Sequence, residues 1–361
     1  MKIAFFGSSL VSAYWNGAAT YYRGLIAALH ARGHDVTFYE PDAYQRQEHR
    51  DLDDPDYARV VVYSANGTAA LEASLEEARD ADLVVKASGV GVFDAELERA
   101  VAEMRSPARL VAFWDVDAPA TLDRVENDPR EPFRASIPGY DVVFTYGGGP
   151  NVVRRYTALG AARCVPIYNA VDPDAHHPAP RDTRFEATLG LVANRLPDRE
   201  ERIERFFTYA ARRFPTGSFL IGGSGWDGHG FPSNVRSLGH VYTDQHNAFN
   251  STVDVVLNVN RDSMAKAGHS PATRIFEAAG AAACMITDAW EGVDHFLEPD
   301  REILVAASGD EVVEHLRRLT SDERRRIGFA ARRRVLAEHT YARRAELVDA
   351  VLEGSAIAEA S

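Results

Sequence analysis

Short apolar runs of strand length alternate with amphipathic helical patterns along almost the whole chain, and that alternation leaves few architectures open. The pattern reads strand 2–6, helix 20–32 closed by Gly33, strand 36–39, helix 71–79, strand 83–86 and helix 94–103. Strands at 108–113 and 142–146 follow, the second leading into a helix from Pro150. Strands joined through helices pair in parallel, and a parallel sheet needs helices on both faces. A second series of the same kind has a strand at 187–192, a long helix at 198–213, and strands at 218–221, 235–238 and 255–258. It continues with a helix from Ser270, a strand at 284–287 and a helix at 311–319. Between the two series, residues 169–184 are rich in proline and charge and lack an apolar period, which is the composition of a linker. The expected fold is therefore α/β: two Rossmann-like, doubly wound domains at 1–168 and 185–335, facing across a cleft. A linker at 169–184 joins them, and a charged helical tail at 336–361 is expected to pack back on the first domain.

A chain of 361 residues is long enough for two hydrophobic cores. Its 40 basic and 53 acidic residues give a net charge of −13, which argues against nucleic acid or an anionic membrane as the main partner. The basic run D-E-R-R-R-I-G-F-A-A-R-R-R at 322–334 reads as a solvated helix face. The opening M-K-I-A-F-F-G-S-S-L reads as a first strand, since its apolar run breaks at Gly7, too early for a signal peptide. No stretch approaches the roughly 20 apolar residues that cross a bilayer. Cys164 and Cys284 sit in apolar contexts without zinc-type spacing, so two reduced buried thiols and a cytoplasmic location are expected.

The stretch from Ser270 to Ile303 carries the strongest chemical signal. Ser270 suits a helix N-cap and Pro271 the first helical position. Arg274 and Glu277 then share one face near the positive end of the helix. Such a terminus binds anions, and a carboxylate one turn deeper can accept hydrogen bonds from sugar hydroxyls, which together suit a nucleoside diphosphate. The plain alternative is an intrahelical ion pair. His269 immediately precedes the cap and is expected to contact the donor sugar or diphosphate. Gly222-Gly223-Ser224-Gly225 follows a strand and suits either a turn or the close approach of a ligand. There is no G-x-G-x-x-G or G-x-x-x-x-G-K, so dinucleotide and P-loop readings fail.

In the first domain, Asp115-Val116-Asp117 has the D-x-D spacing of a divalent-metal site. With two Rossmann-like domains, helix dipoles and arginines would carry that charge, so no metal is expected. Asp115 or Asp117 is instead expected to orient or deprotonate an acceptor hydroxyl. Asn16 and Gly17 follow the first strand, where a glycine admits a phosphate or an acceptor. Trp15, Tyr21, Tyr22 and Trp114 suit stacking on an acceptor, or a place in the core. His34 reads as structural, and His176 and His177 as solvated linker residues.

Seven motifs recur in order over residues 187–305: G-L-V-A-N-R (190–195), F-L-I-G-G-S-G-W (219–226), L-G-H-V (238–241), V-V-L-N-V-N-R (255–261), S-P-A-T-R-I-F-E-A-A-G (270–280), I-T-D (286–288) and F-L-E-P-D-R-E-I (296–303). Looser matches lie at 16–25, 32–36, 113–119 and 141–146. This set resembles GT-B glycosyltransferases, specifically the CgeB-like (spore maturation protein type) branch near the retaining family 4 enzymes. The resemblance implies a nucleotide-sugar donor on the second domain and an acceptor mainly on the first. It assigns Glu277 to the ribose and Arg274 and Arg195 to the neighbourhood of the diphosphate, with Asn194, Gly223 and Trp226 lining the donor pocket. It also shows one departure: the glutamate usual in family 4 eight residues before the ribose glutamate is His269 here. The reading is a cytoplasmic, metal-independent hexosyltransferase that moves a sugar from a nucleoside diphosphate sugar, UDP favoured and retention preferred, to a hydroxyl acceptor. No cofactor is expected beyond that co-substrate. A GT-B-fold epimerase and a non-catalytic nucleotide- or glycan-binding protein are the alternatives.

Overall fold

A computed structural model describes residues 1–14 and 16–354, so Trp15 and the end of the expected tail lie outside the described residues. The chain forms two compact units: Met1–Tyr168 together with the chain from Tyr341, and Asn169–Thr340. Each is built on one parallel sheet.

The first sheet contains β1 (Lys2–Phe6), β2 (Asp35–Asp42), β3 (Arg59–Ser64), β4 (Leu83–Ala87), β5 (Leu110–Asp115), β6 (Val142–Thr145) and β7 (Cys164–Pro166). Their order is β3-β2-β1-β4-β5-β6-β7. The central strand β1 is apolar on both faces, as a strand covered by helices must be, and pairs Ile3 with Val36 and with Leu83. The second sheet contains β8 (Leu189–Val192), β9 (Phe219–Gly222), β10 (Val235–Ser237), β11 (Val256–Asn258), β12 (Met285–Asp288) and β13 (Leu304–Ala306). Its order is β10-β9-β8-β11-β12-β13. The order reverses direction between β1 and β4 in one sheet and between β8 and β11 in the other. Open α/β sheets bind ligands at the carboxyl ends of the strands flanking such a reversal.

Residues 169–184 do not behave as a linker. They belong to the second unit, fastened to the helix His246–Thr252 by side chains. The Ala179 and Asp182 amides donate to Ser251 Oγ and Thr252 Oγ1, and Asn247 Nδ2 donates to the Ala175 carbonyl. A segment without apolar period is thus ordered by polar contacts that periodicity does not register.

The expected tail at 336–361 begins inside the helix Ser321–Glu338, breaks at His339 and Thr340, and continues as the helix Tyr341–Leu352. The latter belongs to the first unit. There its Tyr341 ring lies over Gly24 of the helix Ala19–Ala31, where an added Cβ would fall 2.3 Å from ring carbons. Its Asp349 meets Arg32 and His34, and the His34 contact is 2.7 Å. The long helix of the second unit runs from Pro197 to Arg213 with a wider π turn at Glu204–Thr208. Cys164 and Cys284 are free thiols. Among the described residues no helix is long and apolar enough to cross a membrane.

Candidate functional site

The reversal between β8 and β11 is occupied by Arg274. Its guanidinium donates through Nε to the Val192 carbonyl at the end of β8, 2.7 Å away. Through Nη1 it donates to Asn258 Oδ1 at the end of β11, 2.6 Å away. Asn258 passes the network on, donating to Thr287 Oγ1 and Asn260 Oδ1. Asp288 closes it, accepting from the Asn260 amide and, at 2.5 Å, from Arg202 Nη2. Burial, and then the charge of Arg199, push the Arg274 pKa down. Arg274, half-buried, therefore braces the ends of two strands, and it does not pair with Glu277 as an i, i+3 ion pair would.

Glu277 lies on the same helix, Thr273–Gly280, and is 9% exposed. Two histidines flank its carboxylate: His246 Nδ1 stands 3.6 Å from Oε2, and His176 Nε2 3.9 Å from Oε1. Burial by itself would raise the Glu277 pKa, but the adjacent His246, then His176 and Arg274, hold it down at about 2. With its pKa held at about 2 the carboxylate is ionised, and because both separations exceed hydrogen-bond length its oxygens keep lone pairs for a ligand. His176, expected to be solvated, is 5% exposed. Sequence reasoning missed His246 altogether. It opens a short polar helix, and only the tertiary fold brings it to Glu277.

Ser270 does not cap this helix. The helix begins at Thr273 after Ala272, with no side-chain cap, and Ser270 Oγ donates instead to the Gly268 carbonyl at 2.8 Å. His269 has a left-handed backbone (φ 42°) and donates its amide to the Glu291 carbonyl at 2.6 Å. Its ring lies so close over Gly292 that an added Cβ there would come within 2.4 Å. His269 thus lies beside the N-terminal end of the Glu277 helix, fixed by the 291–292 turn.

The glycine loop is tight for a reason the sequence did not reveal. Gly223 has φ 127°, and a Cβ on it would fall 2.2 Å from the Ala193 carbonyl oxygen. The space that suggested a ligand is filled by the neighbouring loop. Asn194 Oδ1 accepts from the Ser224 amide, and the Arg195 amide donates to the Ser224 carbonyl. Arg195 itself is exposed, with its guanidinium 2.5 Å from Glu200. Trp226, expected to line the pocket, is 2% exposed and donates Nε1 to the Ala193 carbonyl. It is a core residue that ties the two loops together.

The first unit corrects several expectations. Asp115 is fully buried; its oxygens accept from Thr121 Oγ1, the Asp117 amide and Tyr156 OH, the last at 2.5 Å. Burial raises its pKa against the pull of these donors. It organises the start of the helix Ala118–Asn127 and does not present an oxygen to an acceptor; Asp117, at that helix start, is half-buried. Tyr21 and Trp114 also lie in the core: Trp114 Nε1 donates to Tyr21 OH, which donates to the Ile167 carbonyl. Asn16 closes the loop after β1, donating to the Ser9 and Ser12 carbonyls and accepting from Ser8 Oγ. Gly17 alone of this group is open, with nothing within 4 Å of an added Cβ. Asp115→Ala should therefore cost about 3 kcal/mol of stability by leaving buried donors unpaired. Chemical denaturation of the first unit would show it, and Tyr156→Phe should cost less. Among the described residues no cluster of three or more His, Cys, Asp or Glu could hold a metal.

Residues 199–350 match a family described as glycosyl transferase-like. A sucrose-phosphate synthase from Thermosynechococcus elongatus superposes with a TM-score of 0.75 at 13% identity, covering 98% of each chain. The fold is GT-B. Other structures of this GT-B shape include Anabaena HepE in complex with UDP and glucose, with a TM-score of 0.67 at 14% identity over 98% of this chain and 100% of that one. T4 phage BGT with its UDP-glucose substrate gives 0.63 at 11% identity over 99% and 100%. No curated protein matches the sequence.

Proposed function

We propose that this chain is a glycosyltransferase that takes its sugar from a nucleoside diphosphate sugar, with UDP the favoured carrier. One observation carries the reading: Glu277 is an ionised carboxylate, nine-tenths buried, on the helix whose Arg274 spans the reversal of the second sheet, and among the described residues no hydrogen bond is made to its oxygens. A vicinal diol such as a ribose supplies two donors to such a group. The glycosyl transferase-like match over 199–350 and the UDP and UDP-glucose complexes of HepE and BGT support the same reading.

The diphosphate would lie towards the open amides at the start of the helix Thr273–Gly280, with Arg195 reaching it from the 194–195 loop. Stabilisation of the departing diphosphate by such fixed positive groups is the chemical contribution of the site. The acceptor is a hydroxyl compound, transfer retains configuration, and the chain acts in the cytoplasm as a CgeB-like hexosyltransferase. His269 stands at the sugar end and sets which sugar is accepted.

A thermal-shift series with UDP, GDP, ADP and TDP tests the donor site, because a ligand that binds only the folded state raises stability with concentration. UDP should give the largest shift, and Glu277→Ala should remove it. No shift with any of the four would end the donor-site reading. Metal independence predicts that the UDP shift is unchanged in excess EDTA; a shift restored only by Mg²⁺ or Mn²⁺ would contradict it.

A further inference from the structure

Glu277 is held by charge, and the residue that holds it also touches the next loop. His246 begins the helix His246–Thr252. Its Nδ1 faces Glu277 Oε2 at 3.6 Å, and its Nε2 lies 3.3 Å from the Val241 carbonyl. Both partners are pure acceptors. A neutral imidazole that donates Nε2–H to Val241 turns the lone pair of Nδ1 towards the carboxylate, whereas the imidazolium keeps the Val241 hydrogen bond and faces Glu277 with a positive charge across 3.6 Å. The ring thus links the carboxylate to the loop around Val241 only while it is charged.

We propose that His246 is the positioning residue of the donor site, its imidazolium fixing the Glu277 carboxylate relative to the Val241 loop so that nucleotide affinity follows the protonation of His246. The inference rests on the donor-site reading above. Glu277 and Arg274 on the helix Thr273–Gly280 are the charged groups acting on the ring. His176 faces the other carboxylate oxygen. On the flanking turns, Thr183–Phe185 and Thr243–Gln245, Arg184 and Asp244 act on each other. Burial opposes the charged ring, but Glu277 and the Val241 carbonyl outweigh it and raise its pKa from 6.5. A raised pKa means that the imidazolium contribution is complete below pH 6.5 and fades as pH rises through the higher folded value. Glu277 stays ionised across that range, so the change belongs to the histidines beside it, and a substitution at His246 separates its part from that of His176.

The test measures UDP affinity calorimetrically from pH 6 to pH 9 on the full chain, His246→Gln and Glu277→Ala. Glutamine keeps a donor for Val241 but cannot charge. At pH 6, His246→Gln should bind UDP about tenfold more weakly than the unmodified chain, the worth of one charge-assisted contact. By pH 9 the two should converge, leaving in the variant only the titration of the phosphate itself. A ligand-free measurement supports the same point: the His246 pKa, followed by NMR, should fall in Glu277→Gln. Equal affinity and equal pH slope in His246→Gln, with binding still lost in Glu277→Ala, would overturn the role of His246 and leave the donor site standing. Failure of the unmodified chain to bind UDP, GDP, ADP or TDP would overturn both. An unchanged His246 pKa in Glu277→Gln would also overturn it.

Discussion

Glu277→Ala should lower nucleotide affinity by about 100-fold, which corresponds to about 3 kcal/mol and is typical of removing a charged acceptor of two hydrogen bonds. The variant should also be less stable, because His246, His176 and Arg274 are then left around a buried site without their carboxylate. The pH dependence separates the two effects. A folded pKa held near 2, against the ordinary 4.5, adds stability that is complete above pH 4.5 and lost as pH falls towards 2. The unmodified chain should therefore lose this contribution in acid, whereas Glu277→Ala, which lacks it at all pH values, should show a flatter profile there. Glu277→Gln keeps the shape without the charge. It should recover part of the stability and little of the affinity, measured by denaturation and calorimetry on the same samples.

The second large effect is expected at Gly223→Ala. The new methyl would meet the Ala193 carbonyl oxygen at 2.2 Å, and the nearest atoms are all backbone of Ala193 and Asn194, with no flexible side chain to yield. The residue would also be held at φ 127°, where side chains with a Cβ are strained. A loss of about 3 kcal/mol in the second unit follows, at the upper end for a single substitution. The strain falls on the two loops that carry Asn194, Arg195 and Ser224, so nucleotide affinity should fall as well. Gly17→Ala is the matched control: it has open space and no positive φ, and should change stability by no more than about 0.5 kcal/mol.

These two positions also show what the sequence could and could not convey. Strong periodicity placed the elements well. β1 occupies the expected 2–6, the helix Asp94–Glu103 has its expected bounds, and β8, β9 and β11 lie within a residue or two of theirs. The edge strand β3 at Arg59–Ser64 was not legible because its surroundings are rich in aspartate and proline and its three valines are half-buried or exposed, only Tyr63 being buried. Glu277 was legible because its helix and flanking motifs are local. Its histidines were not, since His176 lies about a hundred residues before it and reads as part of a linker. Gly223, Trp226, Tyr21, Trp114 and Asp115 all stand out in the sequence; in the structure the three aromatics lie in the core, Gly223 admits the Ala193 carbonyl and Asp115 accepts buried hydrogen bonds. A glycine that admits a ligand and one that admits a neighbouring carbonyl look the same in one dimension, as do a stacking aromatic and a core aromatic. Ser270-Pro271 has the local form of a cap, yet the Gly268 carbonyl takes the serine hydroxyl first.

The proposed donor site has Glu277 receiving the ribose of a nucleoside diphosphate, on the helix whose Arg274 spans the ends of β8 and β11. A crystal structure of the chain with UDP tests it most directly. Both ribose hydroxyls should lie within hydrogen-bond distance of the Glu277 carboxylate, with the diphosphate at the start of the helix Thr273–Gly280. UDP bound elsewhere, or bound there with its ribose turned away from Glu277, would contradict it.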